Sequence, residues 1–294
     1  MATLNAPYVP AMRLGQGFNS FTQELRVYNA VRASHPAELP GEPQRHSRYP
    51  ISVEASTETV NQTVSYCATV VNHISQVTEL LNVSAPRQIK GNATSSSGGL
   101  VINFEKFHKS DVNFFIHVSV INRHLIAPGL TEFSPIEATS PSDFTRVYGD
   151  TFISGFTEGG EFSALVSIKL EDDRSIDEVS KQLRTLFDIK GGLVDDQALA
   201  GADRIEGEMT VSVSSTGGGD ANDTVDWTLE KLKHAALTFP RHVKASPART
   251  RAILTKYTCL ESAQTAAIKA GSPLDYENTT LYSSVLLDAY MDYK

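Results

Sequence analysis

The sequence is poor in cysteine and has no long apolar run. It contains two cysteines, Cys67 and Cys259, among 294 residues. Two cysteines cannot form the disulfide framework of a small secreted domain. No stretch reaches the roughly 18 consecutive apolar residues that a membrane-spanning helix needs. Residues 1–8 also lack the charged and apolar regions of a secretory signal peptide. We therefore expect synthesis in the cytoplasm, with any release from the cell coming later.

Positive charge is scarce as well. Lysine and arginine number 26 against 34 aspartates and glutamates, which gives a formal net charge of -8. The basic residues form no cluster, so the sequence predicts neither a nucleic-acid partner nor simple electrostatic docking on anionic lipid. The 40% apolar and 20% charged content is typical of a globular protein. The length allows one large domain or two ordinary ones.

The known catalytic motifs are missing too. The sequence has no Gly-x-Ser-x-Gly, no phosphate-binding loop ending in Gly-Lys-Ser/Thr, no His-Glu-x-x-His and no Cys-x-x-Cys. The acidic pairs at 172–173 and 195–196 are typical of solvated loops. His117 and His124 fall inside a strand-like run, where we expect hydrogen-bonding partners rather than catalysis. We predict no enzymatic activity, no cofactor and no metal site.

The middle of the sequence has an unusual spacing of aromatic residues and glycines. An aromatic-glycine pair is followed after two residues by a second aromatic residue, and after six more by two glycines. These positions are Tyr148, Gly149, Phe152, Gly159 and Gly160. Paired glycines at a strand mark a bend or a close approach of two backbones, because a residue without Cβ accepts conformations that others do not. An ordinary glycine-capped turn is the alternative interpretation.

This spacing resembles the signature of the MACPF family, the membrane attack complex and perforin proteins. A second motif, Leu14-Gly15-Gln16-Gly17-Phe18, is similar to the Leu-Gly-x-Gly-aromatic opening of many MACPF domains. Segments at 227–230, 252–257 and 274–277 resemble a fungal branch of MACPF-like proteins. The resemblance therefore covers about residues 12–294.

The resemblance implies an α+β fold. Its centre would be a bent, twisted four-stranded antiparallel sheet, flanked by helices and by two helical or irregular clusters at about residues 91–112 and 171–207. We expect residues 1–50 to form an irregular N-terminal segment packed on the core. Residues 51–294 would form the MACPF-like domain, so that the chain is a single domain overall. Tyr148, Gly149 and Phe152 would anchor a helix against the sheet.

Hydrophobic periodicity predicts the individual elements. Strands are expected within 82–90 and over 114–126, 161–170 and 209–214, and a loop over 91–99. A helix is expected over about 60–81, where Cys67, Val70, Val71, Ile74, Val77 and Leu81 would share one face. Further helices should run from Ser140-Pro141 to Gly149, from Ser175 to Gly191-Gly192, from Asp226 to Pro240, and from Ser246-Pro247 through Leu260.

In pore-forming members of the family, the clusters unfold into transmembrane β-hairpins while many subunits join into arcs or rings. The resemblance implies that Gly159 and Gly160 are the hinge at which the sheet straightens. A spanning strand needs roughly 9–11 residues, and the second cluster is long enough for two. The candidate lipid-facing residues are Leu100, Ile102, Phe104, Val179, Leu183 and Phe187. The leading hypothesis is an oligomeric pore-forming or membrane-associating protein with membrane lipid as a partner.

Charges in the second cluster oppose that hypothesis. Asp177 and Lys181 fall in the same alternating register as the lipid-facing candidates, and a lysine near the midplane of a barrel costs about 2–4 kcal/mol. Asp195 and Asp196 are adjacent, so either register exposes one of them. Two alternatives stay open: a non-lytic interaction or structural protein, or one component of a two-component system that needs a lipid-binding partner protein. Targeting would come from such a partner or from a further C-terminal domain.

Overall fold

The computed structural model describes residues 4–34, 61–83, 100, 102–136, 143–171, 176–188, 207–219, 226–266 and 279–293. The strands are β1 (Leu4–Pro7), β2 (Gly17–Asn19), β3 (Glu24–Leu25), β4 (Val31–Ala33), β5 (Thr63–Val70), β6 (Val112–Ile126), β7 (Leu130–Phe133), β8 (Thr151–Leu170), β9 (Gly207–Thr216) and β10 (Ala248–Lys256). The helices are α1 (Ile74–Leu80), α2 (Phe104–Lys109), α3 (Phe144–Tyr148), α4 (Ile176–Leu186), α5 (Leu229–Ala245), α6 (Glu261–Ala266) and α7 (Thr279–Asp292).

Strand β8 is the centre of the main sheet. In the upper part of the sheet, residues 160–170 of β8 pair with β6 and β9, and β5 pairs with β6. In the lower part, residues 151–159 pair with β10, with β2 and with the end of β6. All of these pairs are antiparallel. The α+β class and the antiparallel sheet flanked by helices are confirmed, although within the described residues the sheet has eight strands rather than four.

The two faces of the upper part are covered by different helices. Alternate residues of β6 and β8, including Phe114, Ile116 and Phe162, pack against α4 and α5. On the other face, Phe115 and Leu165 pack against side chains of α1, α2 and α7. Alternation along two long strands, of 15 and 20 residues, therefore produces an apolar layer on each side of the sheet.

The expected irregular chain at the N-terminus is wrong for residues 4–34. Strand β1 pairs with β10, β2 pairs with β8 and β3, and β4 pairs with β7 in a separate two-stranded sheet. Strands of two to four residues are too short to show a recognisable alternation in the sequence. Residues 35–50 lie outside the described residues.

The helix expected over residues 60–81 is wrong in its first half. Residues 63–70 form β5, with Cys67 opposite His117, and α1 begins at Ile74. The apparent helical spacing from Cys67 to Leu81 runs across a strand, a turn and a helix. Pairing with β6 satisfies the backbone groups along one edge of this segment, and its threonine, valine and tyrosine residues favour a strand.

Two expectations after residue 226 are also wrong. Helix α5 continues through Pro240 to Ala245. Phe239 and Val243, on either side of the proline, are buried against the sheet. Their burial compensates for the backbone hydrogen bond that Pro240 cannot donate. The cap of the helix is Thr228, which accepts from the Lys231 amide. Residues 248–256 form β10 instead of a helix, because β1 and β8 satisfy the backbone on both of its edges.

The other expected elements that fall within the described residues are confirmed with changed bounds. Strands β6, β8 and β9 contain the expected runs, and α4 begins at Ile176. Strand β8 already begins at Thr151, so most of the signature is strand. Helix α3 is followed by Gly149 at φ 81°. The strand within 82–90, the loop over 91–99, the helix start at Ser140-Pro141 and the helix end at Gly191-Gly192 fall wholly or mostly outside the described residues.

Replacing a buried residue of α4 tests how the helix is docked. Leu183 is 0% exposed, whereas Ile176 of the same helix is 51% exposed. We expect Leu183→Ala to lower the free energy of unfolding by about 2–5 kcal/mol, because it leaves a cavity. Ile176→Ala is the matched control and should change it by less than about 1 kcal/mol. Urea unfolding followed by circular dichroism measures both values, and equal losses would contradict the docking of α4 on the sheet.

Candidate functional site

The aromatic residues of the signature belong to a buried cluster at the start of β8. The ring of Tyr148 lies 5.0 Å from those of Phe133 and Phe144, and the ring of Phe152 lies 5.5 Å from that of Tyr257. The Tyr257 hydroxyl donates to the Tyr148 carbonyl at 3.1 Å, and burial raises the pKa of Tyr257, so this donor stays protonated. These contacts hold α3 against the sheet.

The two glycine motifs of the sequence touch each other. Phe18 and Gly149 form an isolated bridge, and Gly17 lies opposite Phe152. A Cβ on Gly17 would lie 2.3 Å from the Tyr148 carbonyl oxygen, and one on Gly149 would lie 2.1 Å from the Phe18 carbonyl oxygen. Each motif therefore lacks a side chain where the backbone of the other passes. Motif spacing alone did not place them together.

Asp150 links the same two segments through its side chain, and sequence reasoning did not single it out. The Ser20 amide donates to Asp150 Oδ1 at 2.7 Å, and the Ser20 hydroxyl donates to Oδ2 at 2.5 Å. Burial raises the pKa of this carboxyl, although the bonds from Ser20 and the nearby Lys256 act in the opposite direction. The chain after β2 is thus tied to the start of β8.

On one side of β8, the partner strand changes at Gly159 and Gly160. The last pair with β10 is Gly159 opposite Ala248, and the first pair with β9 is Glu161 opposite Thr216. On the other side, β6 stays paired along both parts. On this side, β8 therefore pairs with β10 before the two glycines and with β9 after them.

Two more glycines lie at the same level, directly after β9. Gly217 and Gly218 have φ values of 77° and 78°, and the Gly218 amide donates to the Ser246 carbonyl at 2.7 Å. The sequence predicts a turn here but does not connect it with the signature. We call the four residues the glycine junction: Gly159, Gly160, Gly217 and Gly218.

The glycine junction is closely packed on three sides. A Cβ on Gly159 would lie 1.9 Å from the Val120 carbonyl oxygen of β6, and one on Gly160 would lie 2.3 Å from Val243 Cγ2 of α5. A Cβ on Gly217 would lie 2.6 Å from the Gly159 carbonyl oxygen. Strand β6, helix α5 and the turn after β9 therefore all approach the backbone of β8 at one place.

Both neighbours of β8 carry an extra residue at this level. Asn122 of β6 lies between the partners of Gly159 and Glu158, and Thr250 of β10 lies between the partners of Glu158 and Thr157. Such β-bulges bend a strand and increase its local twist. Neither bulge could be predicted from the sequence, because a single extra residue changes no recognisable pattern. The hinge at Gly159 and Gly160 itself stays a prediction.

The described parts of the two clusters lie against the sheet. In the first cluster, Lys106 of α2 forms an ion pair with Glu208 of β9, and Asn113 donates from Nδ2 to the Phe107 carbonyl at 2.9 Å. In the second cluster, α4 packs on β5 and β6, and the rings of Phe187 and Phe114 are 5.4 Å apart. Both clusters are thus held by side-chain contacts to the long strands.

The candidate lipid-facing residues are core residues in this conformation where their side chains are described. Val179, Leu183 and Phe187 are buried against β6, and Ile102 is buried against Phe115. Leu100 is half-buried, and Phe104 begins α2. Contact with lipid would therefore require the clusters to leave the sheet.

His117 and His124 have hydrogen-bonding partners within the sheet, as expected from the sequence. His117 Nδ1 lies 2.9 Å from Ser163 Oγ, and His124 Nδ1 lies 3.2 Å from Thr157 Oγ1. Burial lowers the pKa of His117, and among its charged neighbours Glu161 acts against this shift while Arg251 adds to it. These histidines join polar positions of adjacent strands.

Within the described ranges, no group of three or more histidine, cysteine, aspartate or glutamate residues could hold a metal ion. The acidic pairs at 172–173 and 195–196 lie outside those ranges. None of the helices in the described part of the chain has both the length and the apolar character needed to cross a membrane.

Comparisons with known proteins give distant likenesses among solved structures. No family model matches the chain, and no curated protein matches its sequence. Stonustoxin is 8% identical with a TM-score of 0.46, over 99% of this chain and 34% of that chain. GNIP1Aa from Chromobacterium piscinae is 11% identical with a TM-score of 0.42, over 99% of this chain and 57% of that one. The human-specific toxin intermedilysin is 11% identical with a TM-score of 0.42, over 69% and 42%. The chain thus spans 34–57% of these three proteins.

Two glycine substitutions separate close packing from backbone strain. Gly149 and Gly219 have φ values of 81° and 87°, but a Cβ on Gly219 meets nothing within 4 Å. We expect Gly219→Ala to cost about 1–2 kcal/mol of unfolding free energy through strain alone. Gly149→Ala should cost about 2–5 kcal/mol, because its φ of 81° and ψ of -161° lie in a region nearly restricted to glycine and overpacking against Phe18 adds to that strain. Chemical denaturation measures both, and equal costs would show that the contact between the two glycine motifs is dispensable.

His117 makes stability depend on pH. Its folded-state pKa lies below the usual value of about 6.5, so the unfolded chain binds the proton more readily. The stability contributed by neutral His117 is complete above about pH 6.5 and is lost as the pH falls through the folded-state pKa. Between about pH 7 and pH 5, the free energy of unfolding should therefore fall more steeply in the wild type than in His117→Asn. Denaturation curves at several pH values give the two slopes, and identical slopes would refute the effect.

Proposed function

We propose that this protein is a MACPF-like pore-forming or membrane-associating protein whose two clusters convert into β-hairpins. The observation that carries the proposal is the way each cluster is connected. The first cluster lies between β5 and β6, the second lies between β8 and β9, and each of these pairs is adjacent and antiparallel. A segment with this connectivity can lengthen two paired strands without any change in chain order. The sequence signature supports the same proposal.

The strand ends are placed for such an extension. Leu170, the last residue of β8, lies opposite Gly207, the first residue of β9, so residues 171–206 begin and end in register. The start of β6 is at the same edge, because the Leu170 amide donates to Asp111 Oδ2 at 2.9 Å and the Asp111 amide donates to the Ile168 carbonyl at 2.9 Å. Residues 171–206 provide two strands of roughly the 9–11 residues that a barrel requires.

The apolar face of α4 supplies the side chains for contact with lipid. Val179, Leu183 and Phe187 now cover the sheet. In an extended strand these odd-numbered residues would point to one side, while Ser180, Gln182 and Arg184 would point to the other. The same side chains would thus serve as core when docked and as the lipid-facing row when extended.

Self-association into arcs or rings would use the sheet edges. Among the described strands, β5 pairs with β6 alone and β9 pairs with β8 alone. Each therefore has one edge whose backbone groups can pair with another strand. In our proposal β9 of one copy meets β5 of the next, and Gly159 and Gly160 act as the hinge that lets the upper part of the sheet straighten.

The charges of α4 favour a second candidate function, that of a non-lytic interaction or structural protein with the same fold. Asp177 and Lys181 are exposed on the helix, so their charges are solvated and carry no desolvation penalty there. Extension would carry Lys181 into the lipid-facing row. A lysine there would destabilise the inserted barrel by about 2–4 kcal/mol for each subunit. A lipid-binding partner protein could assist insertion in a two-component system.

A reversible tether between α2 and β9 tests the conversion. Lys106→Cys and Glu208→Cys, in a background of Cys67→Ser and Cys259→Ser, can be joined by a bismaleimide that contains a disulfide. We expect the tether to abolish dye leakage from liposomes and reduction to restore it, because the first cluster cannot leave the sheet while it is joined to β9. Leakage is measured by fluorescence, and rings are examined by electron microscopy, each with and without candidate partner proteins.

The matched control is a tether between cysteines replacing Asp143 and Arg146, which form an exposed ion pair outside both clusters. This tether should leave leakage unchanged. Leakage that persists with the α2–β9 tether would refute conversion of the first cluster. Untethered protein that stays monomeric and releases no dye from any lipid mixture would favour the non-lytic function.

A further inference from the structure

Ion pairs surround the glycine junction. On β8, Glu158 and Glu161 flank the paired glycines, and each carboxylate meets an arginine from a neighbouring strand. Arg123 Nε of β6 donates to Glu158 Oε2 at 2.7 Å, and Arg251 Nε of β10 donates to Glu161 Oε1. The two glutamate side chains are 17% and 21% exposed. Arg251 is 22% exposed, so the Glu161–Arg251 pair is partly shielded from solvent and is less weakened by salt than an exposed pair, whereas Arg123 is 67% exposed.

The pair between Glu161 and Arg251 crosses the junction. Arg251 lies opposite Thr157 in the lower part of the sheet, whereas Glu161 lies opposite Thr216 in the upper part. One ion pair thus joins the two parts of the sheet that the glycine junction separates.

Glu158 joins the two bulged strands at the same level. Arg123 of β6 and Arg249 of β10 both lie directly opposite it, each next to the bulge of its strand. Arg249 Nε is 3.9 Å from Glu158 Oε1, and its guanidinium carbon lies 4.7 Å from the centre of the Phe156 ring. Three adjacent strands are therefore linked through one carboxylate.

We propose that the ion pair between Glu161 and Arg251 is an electrostatic clasp that holds the upper and lower parts of the sheet in their present arrangement. Arg123, Glu158 and Arg249, which all lie in the lower part, link β6, β8 and β10 beside it. A change of angle at the glycine junction alters the distance between Arg251 and Glu161, because the two are attached on opposite sides of it. Breaking the pair leaves a partly buried charge without its partner, which opposes the movement. The clasp is a property of the fold and does not rest on pore formation.

Removing one charge tests the clasp without any membrane. In Glu161→Gln, hydrogen–deuterium exchange at the amides of residues 157–161 and 119–123 should rise about five- to tenfold, because local opening becomes easier. Exchange at residues 164–168 should stay unchanged. Arg251→Gln removes the other charge and should give the same pattern. The exchanged pair, Glu161→Arg with Arg251→Glu, should return exchange toward the wild-type rate.

Two controls make the result specific. Glu24→Gln removes the ion pair of Glu24 with Arg26, which is far along the chain from the junction and has side chains 40% and 24% exposed; it should leave exchange at residues 157–161 unchanged. In about 1 M NaCl, where the Debye length is roughly 3 Å, exchange at the junction should rise in the wild type but little further in Glu161→Gln. Unchanged exchange in both single variants, or a rise spread evenly over the sheet, would overturn the clasp.

Discussion

The structure depends on close backbone packing around β8. Four of the described strands pair with it, and glycines occur where its backbone or the adjoining turns are approached most closely. At Gly149, Gly159 and Gly160 an added Cβ would lie 2.1, 1.9 and 2.3 Å from its nearest neighbour, far inside van der Waals contact. Because these positions lack side chains, the N-terminal segment, β6 and α5 can all reach the same strand. The aromatic cluster and the two apolar layers are built around that arrangement.

The same packing limits what the clusters can do. Val179, Leu183 and Phe187 are nearly fully buried, and each contributes roughly 1.5–3 kcal/mol through burial. A conversion of the second cluster must replace this contribution with contact to lipid and with new strand pairing. The charges of α4 act against it, and the ion pairs around the glycine junction add a further barrier. Pore formation would therefore need a stabilising partner, either neighbouring copies, a membrane or both.

Long elements could be predicted from the sequence, and short ones could not. The strands around Phe114 and Phe162 have many β-branched and aromatic residues, and α4 has a clear apolar face, so local pattern was sufficient. Residues 63–70 and 248–256 also show helical spacing, but a helix is the wrong prediction for both segments. Pairing with β6, β1 and β8 decides their conformation. In the site, the signature identified Gly159 and Gly160, but it missed Asp150, the bulges at Asn122 and Thr250, and the arginines of β10.

Glycine positions and hydrophobic alternation are local properties of the chain, so the sequence alone indicates where two backbones can approach closely and which faces of the long elements are apolar. Tertiary structure decided which strands adjoin β8, where its partner changes from β10 to β9, and that Glu161 meets Arg251. Those outcomes depend on which sheet edges have unpaired backbone groups once the chain is folded. They involve residues far apart in the chain, such as Ser20 and Asp150, which are 130 positions apart, and no local pattern records such a contact.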